Sequence, residues 1–364
     1  MSQKSKILIF MILTLLTLSL LPFITLTTAH SFNLVKIDEY DIDVGYTIQI
    51  EGEYAYITGN EGLLIFNISN PYSVDKIQDV TLPNGSLGAY VVEGIAYVAD
   101  LFSGFYIINL TNVLYPEILG HTNSTPLATN AYALDNLALI TDYNNGLFIY
   151  DVSNKSDPIL ESQYYAGGNY WQTIAKGEIA YIANPQSGID VVNITEPSTP
   201  VRVSVVSSAL GVTSLSIHEN FLYAGKHGSG LNVFDISTPA SPVLLGIYDD
   251  YDDGEELGVR GNGTHMAVAD NYGIELFDIT GLPVISKIAE YRNNVAAAHD
   301  VELIGNYIFV VDGASGFFVL EIVEQQETTP TVASYSMHSP LSLLVIASLS
   351  IVIIQKKHFK KRTK

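Results

Sequence analysis

The sequence predicts an all-β protein: a seven-bladed β-propeller of four-stranded antiparallel blades, with an N-terminal signal peptide and a C-terminal transmembrane helix. Seven segments align on one glycine, at Gly62, Gly104, Gly146, Gly188, Gly230, Gly273 and Gly316, spaced 42, 42, 42, 42, 43 and 43 residues apart. The composition favours strands joined by tight turns, being rich in Ile, Val, Leu and Tyr with 28 Gly and only 15% charged residues. Each end of the chain carries an apolar run that lies outside the repeats.

Each aligned glycine opens a strand, as in GLFIYDVS from Gly146 and GLNVFDIS from Gly230. A second apolar strand ending in a turn precedes it (Ala138 to Asp142, Ala180 to Asn184), so the two form a hairpin whose Gly supplies a positive φ. The return strand ends at Asn or Asp, followed two residues later by Ser or Thr and usually then by Pro, which redirects the chain. A third strand follows the proline (PVRVSVV from Pro200) and a fourth precedes the hairpin (TSLSIHE from Thr213). One such meander is apolar on both faces and cannot bury either alone; seven arranged around an axis bury each other. The seventh repeat ends near Ile322 with no proline-led strand after it, and residues 33–42 (NLVKIDEYDI) supply that strand. The N-terminus is thus expected to complete blade seven and lock the ring.

This pattern of hairpin, G-L-x-I-x-D-x-S strand and proline resembles the LVIVD repeat family of β-propellers, over roughly residues 33–322 and most closely at GLFIYDVS and GLNVFDIS. Repeat seven departs from it, with Glu321 and Val323 at the Asp/Asn and Ser/Thr positions. The resemblance implies a fold and a surface location. It implies no reaction.

The ends read as targeting segments. Lys4 and Lys6 precede an apolar run from Ile7 to about Thr28, and Thr27-Thr28-Ala29 offers small residues for cleavage, so residues 1–29 are expected to be a signal peptide, with an uncleaved anchor as the alternative. The propeller then occupies 30–323, a polar linker 324–339, a transmembrane or sorting segment 340–355 and a basic tail 356–364. The fourteen apolar residues Leu341–Ile354 fall short of a hydrocarbon core about 30 Å thick, so a span recruits residues from about Tyr335 onward. The basic tail places the body outside the membrane.

Of 17 basic residues, Lys4, Lys6 and six in the tail flank the apolar runs, leaving nine against all 38 acidic residues in the body. Such a body repels nucleic acid and leaves an extracellular protein or glycan as the partner. With no cysteine, thiolate metal sites, cysteine nucleophiles and disulfides are excluded. The eight histidines form no metal-binding pair, and His121, His218, His227 and His299 read as solvated turn residues. Asp100, Asp142, Asp270 and Asp312 share one repeat position with Asn184; a group needed in every blade forms turns, since a catalytic carboxylate is needed once.

Two candidate sites remain. Asp249, Asp250, Asp252, Asp253, Glu255 and Glu256 surround Gly254 in a crossing loop and could cage Ca²⁺, the one cofactor considered, or simply form a solvated acidic loop. Tyr90, Tyr132, Tyr170, Trp171 and Tyr291 are expected on the face that carries the crossing loops and Gly hairpins, where aromatics beside carboxylates suit a sugar or a basic protein surface. The leading functional expectation is a surface-anchored, non-enzymatic binding or adhesion module. An envelope hydrolase or lyase with a carboxylate site at the channel mouth, and a structural surface-layer component, are the alternatives.

Overall fold

Each repeat folds as a four-stranded sheet in which the central strands are buried on both faces. The computed structural model describes residues 29–227, 230–248, 258–293, 295, 297–313 and 316–327, and among these there are seven such sheets. The second and third strands of a blade read as continuous apolar runs because both faces pack on neighbouring blades, as in Tyr54–Gly59 and Gly62–Asn67. The outermost strands alternate with water, as in Asp75–Thr81.

The core lies between blades rather than within them. Tyr97, Phe105, Ile140 and Phe148 pack blade two on blade three, and Ile57, Phe66, Val311 and Phe317 pack blade one on blade seven, closing the circle. Closure follows the expected topology: the strand Ala29–Tyr40 pairs with Gly316–Glu327 as the outermost strand of blade seven. The boundaries differ from expectation at both ends. These two strands run side by side for 12 residues each, twice the length of an ordinary Gly-led strand, so the linker expected from residue 324 begins as sheet.

The aligned glycines do more than permit a turn. At Gly104 φ is +78°, and a Cβ there would stand 2.0 Å from the Thr122 carbonyl oxygen of the outermost strand; at Gly146 φ is +88° and the Tyr164 oxygen would be 2.2 Å away. The same close approach to a backbone oxygen of the outer strand recurs at Gly62, Gly188, Gly273 and Gly316. Gly104→Ala or Gly146→Ala therefore combines backbone strain with a clash against backbone, and is expected to cost roughly 2–5 kcal/mol, read as a lower denaturation midpoint.

The return strands end in side-chain turns. Asn67, Asn109, Asp151, Asn193, Asp235 and Asp278 each accept a hydrogen bond on Oδ1 from the backbone N–H two residues on, at 2.8–3.0 Å in the first four and 2.7 and 2.8 Å in the last two. In blades one to six, the pairing of the Gly-led strand with its outer neighbour slips at one and the same position, as between Ile65 and Phe66 and between Ile149 and Tyr150. Each outer strand thus carries a bulge.

The expected signal peptide, apolar segment 340–355 and basic tail lie outside the described residues, apart from Ala29 in the first strand. Among the described residues no helix is long and apolar enough to cross a membrane.

Candidate functional site

Crossing loops and Gly hairpins do share one face. The hairpin turns hydrogen-bond to the loops, Leu101 N to Gly85 O and Tyr143 N to Leu127 O, for example. Of the five aromatics expected there, only Trp171 lies open on it, 43% exposed on the blade-four crossing loop and edge-on to Tyr143 at 5.2 Å. Tyr170 beside it is fully buried: its hydroxyl donates to Asp190 Oδ2 at 3.2 Å and accepts from Ala166 N at 3.0 Å. Burial pushes that phenol up to about 12. Tyr291 ends an outer strand and packs in the core near Phe318. Neither is placed to meet a ligand. Sequence reasoning missed Phe102 and Tyr272, exposed at the tips of the blade-two and blade-six hairpin turns. The available signal was an aromatic at a turn tip, where no strand neighbour exists to cover it.

Tyr90 and Tyr132 belong to innermost strands, Ser86–Val92 and Ala128–Leu134, and face the central channel. The acidic loop 249–256 lies outside the described residues. Among the described residues no group of His, Asp or Glu is arranged to hold a metal ion.

The channel walls come from the seven innermost strands, and pairing with the second strand aligns them. Asn130 opposes Thr141, as Thr47 opposes Thr58, Ser214 opposes Gly225 and Asp300 opposes Val311. Two residues further along the strand stands one level of the wall: Gln49, Tyr90, Tyr132, Ile174, Ser216, Arg260 and Glu302 in blade order. All seven line one cavity of about 490 Å³, whose rim includes His218, Asn262 and Ile304 at the strand ends away from the crossing loops. His218 is therefore a channel residue rather than a solvated turn. That volume lies in the ordinary range of small-molecule sites.

The wall is divided. Tyr90 and Tyr132 meet as a tilted pair with ring centroids 4.2 Å apart, and the Tyr132 hydroxyl donates to Ala175 O at 3.0 Å. Across the seven-fold ring from them stand blades five to seven, where Arg260 Nε donates to Glu302 Oε1 at 2.9 Å and Arg260 Nη2 to Asp300 Oδ2 at 3.2 Å. Gln49 Nε2 also donates to Glu302 Oε1, at 3.0 Å. Asp300 is held on both oxygens by backbone, with Val301 N on Oδ1 at 3.0 Å and Ile48 N on Oδ2 at 3.1 Å.

Burial raises the pKa of Asp300 and of Glu302, against the attraction of Arg260. Burial works against the charge on Arg260 as well, but the two carboxylates outweigh it and hold the guanidinium above its ordinary value. The Ser216 hydroxyl is buried in this wall with no hydrogen-bond partner among the described residues.

A second set of side chains, two residues back along these strands, is structural. Asn130 Oδ1 accepts from Thr173 N (3.2 Å), Gln172 Oε1 from Leu215 N (2.6 Å) and Ser214 Oγ from Val259 N (3.2 Å), so blades three to six are clamped each to the next. The recurrent aspartates are structural too. Asp142 Oδ1 accepts from Asn144 N and Asn145 N at 3.0 and 2.9 Å, and its Oδ2 from Leu127 N at 2.8 Å, which ties the hairpin turn to the crossing loop.

Among solved structures the fold matches the Cps50 (Swd1) β-propeller domain of Myceliophteria thermophila with a TM-score of 0.69 at 8% identity, over 80% of this chain and 100% of that one. The WD40 β-propeller domain of Doa1 matches with a TM-score of 0.60 at 11% identity, over 85% and 100%, and the computationally designed Ika8 protein with 0.57 at 9%, over 80% and 100%. At such identities the likeness is one of fold. No curated protein matches the sequence. The LVIVD repeat is matched at residues 46–77, 128–166, 167–207, 211–250 and 296–330, more than half of the chain. Blades two and six fall outside those matches and complete the ring with degenerate copies of the same repeat. The chain belongs to the LVIVD repeat family.

Proposed function

We propose that the protein is a non-enzymatic binding module, exported and displayed outside a membrane, that engages an extracellular glycan or protein. One observation carries the reading. Glycine, strand-ending Asx and turn aspartate recur around the ring, whereas the channel wall carries six residue types over seven blades and gathers Tyr90, Tyr132, Ser216, Arg260 and Glu302 at one level. Repetition marks the scaffold, and departure from it marks the place under separate demand.

Display rests on the ends. The apolar segment followed by a basic tail supports a membrane span with the propeller outside, and cleavage near Ala29 would free the first strand, Ala29–Tyr40, to pair. Trp171, Phe102 and Tyr272 offer a second, open contact face for a larger partner. The full chain in a sugar-free detergent, applied to arrays of glycans and proteins, is expected to retain one class saturably and to release it unchanged. Absence of saturable retention overturns the reading.

The envelope hydrolase or lyase keeps one observation in its favour, the raised Glu302 carboxyl in the channel. The backbone N–H groups on both Asp300 oxygens favour its ionised form and so work against its serving as the proton donor. Release of a chemically altered glycan from the array, lost in Glu302→Gln, would establish that reading instead.

A further inference from the structure

The channel wall has a chemistry narrower than binding in general. Two phenol rings in tilted contact, their planes 37° apart, form one side. On the other side the hydrogen-bonding groups are incompletely used. Three of the five Arg260 N–H groups are engaged, with Glu302, Asp300 and the Val259 carbonyl. Glu302 accepts both its hydrogen bonds on Oε1, and Oε2 has no partner among the described residues. Ser216 is 9% exposed, and its hydroxyl, able both to donate and to accept, has none either. A buried hydroxyl left unpaired costs about 1–3 kcal/mol, and a turn of Ser216 about its Cα–Cβ bond to meet a ligand in the channel recovers that amount.

Charge narrows the ligand further. Two carboxylates and an acidic body oppose an anion, while the guanidinium between those carboxylates offsets one of their charges and burial disfavours the other, which leaves little field to hold an ammonium group. What fits is neutral, has an apolar face to lie on tyrosine rings and has hydroxyls that both give and take hydrogen bonds. We infer that the central channel binds a neutral pyranose unit of a glycan, packed on Tyr90 and Tyr132 and hydrogen-bonded by Arg260, Glu302 and Ser216. A cavity of about 490 Å³ accommodates roughly one or two such rings. This rests on the reading of the chain as a binding module and gives that module its ligand class.

The test uses the full chain in a sugar-free zwitterionic detergent and isothermal calorimetry against methyl pyranosides of glucose, mannose, galactose and N-acetylglucosamine, with glucosamine and glucuronate as charged comparisons. At least one neutral pyranoside is expected to bind saturably and more tightly than either charged sugar. Ser216→Ala is expected to weaken it about threefold to tenfold and Tyr132→Leu about tenfold or more, with Tyr132→Phe, which keeps the ring, recovering most of the second loss, while Tyr115→Ala, at an exposed position outside the channel, leaves it near wild type. Thermal unfolding of each variant separates loss of contact from loss of fold. Failure of every neutral pyranoside to bind, a preference for glucosamine or glucuronate, or affinity unchanged in both Ser216→Ala and folded Tyr132→Leu protein overturns the inference. An array ligand still retained by folded Tyr132→Leu protein would overturn the channel site while leaving the binding module standing.

Discussion

Deletion of residues 29–40 is expected to abolish the cooperative thermal transition of the propeller. This strand is the outer edge of blade seven, and it joins that blade to blade one: Tyr40 packs edge-on to Phe66 with centroids 5.0 Å apart, and Phe66 in turn meets Phe317 at 5.0 Å. Leu34 is buried and Ile37 packs against the core that blade seven shares with blade one. Burying two such side chains contributes about 3–6 kcal/mol, against a net stability of about 5–15 kcal/mol for a whole domain. The deletion also bares one edge of the last Gly-led strand and uncovers an apolar flank. Circular dichroism and differential scanning calorimetry of the shortened chain check this; a transition within a few degrees of the parent would mean that the ring holds without its clasp.

Arg260→Met is expected to cost about 3–5 kcal/mol at neutral pH, because it leaves Asp300 and Glu302 buried without their counter-charge. Replacing Glu302 as well, by Gln, which keeps the oxygen that accepts from Gln49 and removes one of the two charges, is expected to restore part of the loss. The deficit has a pH signature. A carboxyl whose folded pKa lies above its unfolded value favours the folded state on acidification, and that contribution is lost as pH rises through the folded pKa. Both groups are already raised in the parent, by burial, and removing the arginine raises them further. The variant should therefore recover towards the parent as pH falls from neutrality to the unfolded carboxylate range near about 4. Below that range Asp151 and Asp235, whose pKa values are lowered by hydrogen bonds from Ser153 and Ser237, act with the opposite sign in both proteins. Urea titrations at stepped pH measure the window; a deficit that stays constant across it would show that the charges are not its source.

The scaffold was legible because its signals are local and repeated. A glycine against a neighbouring carbonyl, an Asx closing a strand and an aspartate capping a turn each act within a few residues, and each recurs at a period of 42 or 43. The missing strand of blade seven was legible for the same reason, as a gap in a count. The channel was not. A slip in pairing near the start of the innermost strands, between Ala128 and Asn130 and between Ser86 and Gly88, alters their simple alternation, and Tyr90 and Tyr132 were placed on the wrong surface. Arg260, Asp300 and Glu302 meet across two blades, 40 and 42 residues apart. Charges in the middle of short inner strands, GVRG and AHDVELI, were the only trace of that meeting.

The bulge shared by the outer strands bears on what happens when copies crowd together. A propeller hides its faces but leaves each blade a free rim, and some rims here are apolar: Val201, Val203 and Val205 in blade four are 59%, 44% and 37% exposed, and Val243, Leu244 and Ile247 stand open in blade five. A straight rim of that composition is a template on which a second molecule can extend the sheet. Two residues set against one in mid-strand coil the rim and interrupt its row of hydrogen-bonding groups. The irregularity that breaks the register inside each blade thus limits polymerisation between molecules, and packing many copies side by side becomes compatible with keeping them separate.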